Sequence, residues 1–154
     1  MTATVASRAR ATGHSGAVPP TAATIGCAAH PHGPDHNATL FKEGYETAIT
    51  EAGYTVAADQ SVPDWDNTQA GTIFEQIFTS TGGEFVGVAA ANDGLGGAVI
   101  SVLDRNGLAG QVPVTGQDAT DEGLQRVLLG TQCVTVYKAI KKEADAAAEL
   151  AIAL

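Results

Sequence analysis

From Thr24 onward the chain alternates between two textures: short apolar runs, and longer stretches whose apolar residues recur at helical spacing. "TIGCAA" is a short apolar run of strand length. "ATLFKEGYETAITEAG" follows, with Leu40, Phe41, Tyr45, Ala48 and Ile49 on one helical face and Gly53 as the stop. "YTVAADQSV" predicts a second strand. "NTQAGTIFEQIFTSTGG" predicts a second helix, because Ile73, Phe74, Ile77 and Phe78 form one stripe and Gly82-Gly83 end it. "EFVGVAAA" is a third strand, apolar on both faces. "GLGGAVISVLDRNG" is a third helix, and "QVPVTG" a fourth strand. "TDEGLQRVLLG" is a fourth helix, with Thr120 placed to cap it, acids in its first turn and Gly130 at its end. "CVTVYK" makes a fifth strand, and the Ala-rich "AIKKEADAAAELAIAL" a last helix.

The order is therefore βαβαβαβαβα. Regular alternation with doubly apolar strands predicts an α/β fold, a doubly wound parallel sheet of about five strands with helices on both faces. Three segments are expected: a disordered lead over 1–23, a ligand-binding lobe over 24–138 and a terminal helix over 139–154. The lead is rich in Ala, Thr, Ser, Gly and Pro, lacks apolar periodicity, and has no continuous apolar stretch of the kind a secretory signal peptide carries.

Composition narrows the function classes. The 154 residues suffice for one domain with a core, and the formal net charge is -9. That balance argues against a nucleic-acid partner, whose binding needs clustered Lys and Arg. No apolar run reaches the length of a membrane span. Cys27 and Cys133 lie far apart with no C-x-x-C spacing, and read as unpaired core thiols. Neither G-x-G-x-x-G nor G-x-x-x-x-G-K-[ST] occurs at a strand–helix turn, so no nucleotide or other cofactor is expected.

In a doubly wound sheet, ligands bind outside the C-terminal ends of the strands. Those ends carry Asp35, His36 and Asn37; Trp65, the only Trp; Asn92-Asp93; Gln117-Asp118; and Lys138. Amides donate and accept, carboxylates accept and an ammonium donates. This set suits a ligand dense in hydroxyls, and a Trp face suits the C–H side of a sugar ring. Each residue also has a plainer role open to it, as a helix cap, a loop hydrogen-bonder or a core aromatic. At the third strand end the expectation is that Asn92 faces a sugar hydroxyl and Asp93 faces the start of the next helix. "HPHGPDH" places His30, His32 and His36 near Asp35, but a Pro-rich loop does not fix metal-ligand geometry and no metal is expected. Asp64, Asp66 and Glu75 stand at calcium-loop spacing, yet Gln69 occupies the position that needs Gly. No G-x-S-x-G or H-E-x-x-H occurs, and the chain is expected not to be an enzyme.

Five stretches in register carry a resemblance: "DHNATLFKEG", "VPDWDN", "ANDGLGGAVISVL", "GQDATDEGLQRVLLGTQ" and "TVYKAIKKEADAAAELAIAL". Together they resemble the C-terminal lobe of a type I periplasmic sugar-binding protein, the solute receptor of an ABC importer, and most of all the D-xylose-binding proteins. The resemblance implies binding of a monosaccharide such as D-xylose, a permease partner and a periplasmic or extracytoplasmic location. It assigns hydrogen bonds to sugar hydroxyls to Asn37, Asn92 and Asp118, ring stacking to Trp65, and a contact from the hinge end of the fifth strand to Lys138. Asp35 and Asp93 belong to the same motifs. Where the family usually has D-N-N-A, this chain has Asp35-His36-Asn37-Ala38, and "CAAHPHGP" departs from the usual first strand and turn. The family's N-terminal lobe has no counterpart in these residues, so the chain reads as a truncated receptor whose last helix folds back, stays exposed or self-associates with another copy. The alternative class is the effector-sensing domain of a lactose-repressor-type regulator, which shares the lobe fold but needs a DNA-binding headpiece. A doubly wound enzyme, and a response-regulator-like module with Asp93 near the phosphoacceptor position, complete the set of competing classes.

Overall fold

The computed structural model describes residues 21–26 and 36–153. Asp35, Cys27, His30, His32 and most of the expected lead lie outside the described residues. The elements run β1 (Thr21–Gly26), α1 (His36–Glu51), β2 (Thr55–Ser61), a short 3-10 turn (Pro63–Trp65), α2 (Asn67–Thr81), β3 (Val88–Ala90), α3 (Asp93–Arg105), α4 (Asp121–Leu129) and α5 (Ile140–Ala153). β1 begins three residues before the boundary that the apolar pattern suggested. Thr21 is already in register with Thr55 of β2.

The sheet has three strands in the order β2-β1-β3, all parallel, rather than about five. The fourth and fifth apolar runs nevertheless lie where strands would. Val88 bridges Val114 in parallel, and Gln117 bridges Val136 in parallel. Val88 N–H donates to the Pro113 carbonyl at 2.9 Å, and Thr115 N–H donates to the Val88 carbonyl at 3.0 Å. Cys133 N–H donates to the Val114 carbonyl at 2.9 Å, and Val136 N–H to the Gly116 carbonyl at 3.0 Å. The spatial order is thus 2-1-3 followed by the fourth and fifth runs, a doubly wound order with its switch between β1 and β3. Two local events keep the fourth run from laddering. Pro113 has no N–H to give. The Thr115 hydroxyl takes the Ala90 N–H at 3.0 Å, where a regular ladder would use a carbonyl.

The core lies between the sheet and the α2–α3 pair. Ala70, Phe74 and Ile77 of α2 meet Leu95, Val99, Ile100, Val102 and Leu103 of α3, over Ala23, Ile25, Val88 and Val114. Phe74 has no solvent exposure, and its ring meets Phe85 edge-on at 5.7 Å. Gly82 and Gly130 end α2 and α4 in the left-handed conformation, as their placement in the sequence implied.

Burial elsewhere is thin. α1 buries only Ala38 fully; Phe41, Tyr45 and Ile49 are half-buried, while Leu40 and Ala48 are exposed. Lys42 of α1 pairs with Asp59 of β2, and that hydrogen bond holds the Lys42 ammonium pKa above its ordinary value. α5 buries no residue at all. Cys133 is exposed rather than in the core. Among the described residues, no helix is long and apolar enough to cross a membrane.

Phe74→Ala removes the largest fully buried side chain among the described residues and one of the two edge-on ring partners of Phe85. It is expected to lower unfolding free energy by about 3–5 kcal/mol, read from the urea midpoint at constant m-value.

Candidate functional site

The rim is assembled from backbone hydrogen bonds before any side chain is considered. Asp93 N–H donates to the Gln117 carbonyl at 2.9 Å, joining the third strand end to the fourth. Asp118 N–H donates to the Val136 carbonyl at 3.0 Å, joining the fourth to the fifth. At the other side, the start of α2 abuts the start of α3: a Cβ on Gly94 would collide with the Asn67 amide. Residues 65–67, 92–94, 117–118 and 136–138 therefore form one continuous edge.

Trp65 reaches that edge through a strained turn. Asp64 and Trp65 both have positive φ, 51° and 57°, a region that costs a non-glycine residue about 1–3 kcal/mol. The turn is held at both ends. Val62 before it is fully buried. Asp66 after it caps α2, its Oδ1 accepting from Thr68 N–H at 2.7 Å and Gln69 N–H at 3.1 Å. Those bonds keep the Asp66 carboxyl pKa below its ordinary value. The Trp65 ring is half-buried and packs against the core cluster, so one part of it is fixed while another faces outward.

At the third strand end it is Asn92, and not Asp93, that caps the following helix. Asn92 is the N-cap of α3, its Oδ1 accepting from Leu95 N–H at 2.8 Å. Its Nδ2 remains as the group able to donate to a ligand. Asp93 is neither a cap nor a rim contact: it has no solvent exposure. Its Oδ1 accepts from Gln132 Nε2 at 2.7 Å. Its Oδ2 accepts from Thr120 N–H at 2.9 Å, Thr120 Oγ1 at 3.2 Å and Thr135 Oγ1 at 2.8 Å. Both oxygens are occupied, which also removes Asp93 as an accessible phosphoacceptor. Burial pushes its carboxyl pKa up, but the bonds from Thr135, Gln132 and Thr120 outweigh that and leave it below the ordinary value.

Two glycines make room for this carboxylate. A Cβ at Gly116 or at Gly123 would collide with an Asp93 oxygen. Arg126 closes the group from α4, donating from Nη2 to the Asp93 carbonyl at 2.6 Å and from Nε to Gln132 Oε1 at 2.9 Å. Gln132, Thr135 and Arg126 were not among the sequence-derived candidates. All three nevertheless lie in quoted motifs: Arg126 and Gln132 in "GQDATDEGLQRVLLGTQ", with Gly116 and Gly123, and Thr135 at the start of "TVYKAIKKEADAAAELAIAL".

Asp118 and Lys138 meet at the rim, Lys138 Nζ lying 2.7 Å from Asp118 Oδ1 with both side chains partly exposed. Asp118 and Ala119 form a second strained turn, with φ of 97° and 50°. Asn37 lies in the first turn of α1 and is exposed. Asp66 and Glu75 are taken up by the α2 cap and an ion pair with Arg105, which disposes of the calcium-loop spacing. Among the described residues, no His, Cys, Asp and Glu side chains gather as a metal site. A groove of about 300 Å³ runs between α2 and α3 from Asn67 to Arg105, along the helices rather than over the strand ends.

The comparisons agree with this architecture. The family model for the periplasmic binding protein domain matches residues 20–154, and the chain belongs to that family. It is 38% identical over 124 residues to the D-xylose-binding periplasmic protein of Haemophilus influenzae, covering 78% of this chain and 37% of that protein. It is 37% identical over 124 residues to the D-xylose-binding periplasmic protein of Escherichia coli, with 78% and 38% covered. The chain thus spans under two-fifths of the length of these curated relatives. Among solved structures, an ABC transporter periplasmic solute-binding protein from Actinobacillus succinogenes with bound D-allose superposes with a TM-score of 0.74. It shares 27% identity, over 87% of this chain and 46% of that one. A solute-binding protein from Bacillus halodurans with bound myo-inositol gives a TM-score of 0.67 at 25% identity, over 77% and 40%. These relatives are solute-binding proteins rather than enzymes.

Asp93→Asn replaces an acceptor by a donor among four donors. It is expected to cost roughly 2–4 kcal/mol at neutral pH. A carboxyl whose folded pKa is depressed contributes stability above its unfolded pKa, and that contribution is lost as pH falls through the folded value. The gap between wild type and Asp93→Asn is therefore expected to be full at pH 6 and to shrink below about pH 4, as followed by urea titrations across that range.

Proposed function

We propose that this chain binds a monosaccharide, D-xylose or a sugar of similar size, across the rim, as part of the substrate-binding protein of a periplasmic ABC importer. The observation that carries the reading is the continuity of the rim. An anchored aromatic ring, a half-used amide and a carboxylate–ammonium pair stand along one edge of a sheet in this family.

Each group has a role that a sugar can use. The outward part of the Trp65 ring takes the C–H face of the pyranose. Asn92 Nδ2 donates to a hydroxyl oxygen. Asp118 accepts from hydroxyls through Oδ2 while Oδ1 holds Lys138, and Lys138 donates in turn. Asn37, with Asp35 beside it in sequence, extends the contact set from the start of α1. None of these groups is arranged as a nucleophile with a base, so the role is binding and delivery to a permease. The two-fold capacity of each hydroxyl, as donor and acceptor, explains why amides and mixed charges serve here better than a cluster of like charge. This edge is a single open wall, so its affinity when tested by itself is expected in the millimolar range.

The chain has one Trp, so indole fluorescence reports the rim directly. Titration with D-xylose, D-allose and myo-inositol is expected to give a saturable change for at least one sugar. Amide and side-chain NMR shifts are expected at Trp65, Asn92, Asp118 and Lys138. Asp118→Asn is expected to weaken binding about 10- to 100-fold. A folded chain with no saturable response at these residues at high sugar concentration overturns the reading.

A further inference from the structure

We infer that Thr135 is a positioning residue for the sugar site: its hydroxyl ties the strained Asp118–Ala119 turn to the buried Asp93 carboxylate. It thereby fixes where Asp118 presents its oxygens.

Three consecutive backbone N–H groups in this turn are each held by a different partner. Asp118 N–H donates to the Val136 carbonyl at 3.0 Å. Ala119 N–H donates to Thr135 Oγ1 at 3.0 Å. Thr120 N–H donates to Asp93 Oδ2 at 2.9 Å. Of these, the middle one goes to a hydroxyl that passes the connection on to Asp93. A hydroxyl has one proton, so Thr135 Oγ1 accepts from Ala119 and donates its proton to Asp93 Oδ2, 2.8 Å away.

The turn needs such a tie because it is not at rest. Asp118 and Ala119 both sit at positive φ, which non-glycine residues hold only where surrounding bonds over-determine it. Were the tie absent, the backbone would relax toward ordinary φ, and the Asp118 side chain would swing with it. Asp118 is the residue whose aim matters, since it also holds Lys138. A further support comes from the Asp93 carboxylate. Thr120 caps α4 through Gly123 N–H at 3.0 Å and bonds Asp93, so the far end of the turn is fixed by that carboxylate too. Thr135 is the only link that reaches the strained residues themselves from the Asp93 side. Thr135 itself touches no ligand in this account: it acts through Asp118.

This inference rests on the sugar-binding reading of the rim, and the test separates the two. In an isotope-labelled chain, amide hydrogen exchange at Ala119 is measured alongside a D-xylose titration read at Asp118 and Trp65. Thr135→Val keeps the shape and removes the hydroxyl. It is expected to speed Ala119 exchange about tenfold and to raise the D-xylose Kd about tenfold, with Leu103 exchange unchanged. Thr135→Ser is expected to restore both. A merely structural role would instead speed exchange at Leu103 along with Ala119 and leave Kd unmoved. Unchanged Ala119 exchange in Thr135→Val overturns the inference, as does an unchanged Kd with faster exchange. Where wild type takes D-allose or myo-inositol rather than D-xylose, the Kd is read with that sugar; where it takes none of the three, the sugar reading falls, and Ala119 exchange alone decides the tie. Should Thr135→Val fail to fold, the wild-type Ala119 amide still decides: exchange as fast as an unbonded amide overturns the inference, and protection on the level of Asp118 supports it.

Discussion

The buried carboxylate of Asp93 is the constraint around which the rim end of the molecule is organised. An ionised group without solvent exposure costs several kcal/mol unless its lone pairs are filled. Here four donors fill them, and they come from three places in the chain: the turn before α4, the residues after α4, and the fifth apolar run. Asp93 also stands in the first turn of α3, where the helix dipole favours a negative charge. Arg126 lies against its carbonyl and against Gln132 rather than on the carboxylate itself. The charge is thus stabilised chiefly by oriented dipoles, with one cation nearby. A group solvated in this way needs its partners where they are, so the carboxylate dictates the arrangement of segments that make few regular sheet bonds of their own.

That explains how a three-stranded sheet supports a rim contributed by four runs, two of which make no ladder. The fourth and fifth runs have single bridges and scattered backbone bonds instead of a ladder. Their register is fixed at the rim by the Asp93 group. At the same end, two strand-to-helix turns hold consecutive non-glycine residues at positive φ, Asp64-Trp65 and Asp118-Ala119. In each, the strained pair includes a residue with the chemistry to meet a ligand, and in each the following residue is committed to capping a helix. Asp66 caps α2, and Thr120 caps α4. The helix start on one side and a buried anchor on the other leave the pair between them little freedom, and that lack of freedom is what a preorganised contact requires.

The larger part of the fold was legible in the sequence because hydrophobic spacing and helix stops are local signals. The Ile73-Phe74-Ile77-Phe78 stripe, Gly82, Gly130 and the Thr120 cap all stand where the pattern put them. The strand count was less legible, because whether an apolar run ladders depends on Pro113 and on which atom of Thr115 reaches Ala90. That choice is tertiary. The site shows the same division. Placing Trp65, Asn92, Asp118 and Lys138 at strand ends needed only topology, and the ion pair between the last two follows from adjacent runs. Which member of Asn92-Asp93 points inward could not be read from spacing: both residue types cap helices well, and the deciding partners, Gln132 and Thr135, are 39 and 42 residues away.

The two glycines beside the carboxylate carry a consequence for how this sequence can drift. Gly116 and Gly123 leave just the volume that the Asp93 oxygens fill. A side chain at either position evicts the carboxylate, and loss of the carboxylate leaves an empty polar slot lined by donors. Gln132, Thr135 and Thr120 each lose an acceptor without it. Positions 93, 116, 120, 123, 132 and 135 are therefore physically coupled as one unit, spread across some forty residues of chain. Substitutions within that unit are tolerable in combination where each alone is not. The outward-facing rim residues lie outside that unit, so the rim can diverge while the platform beneath it stays fixed.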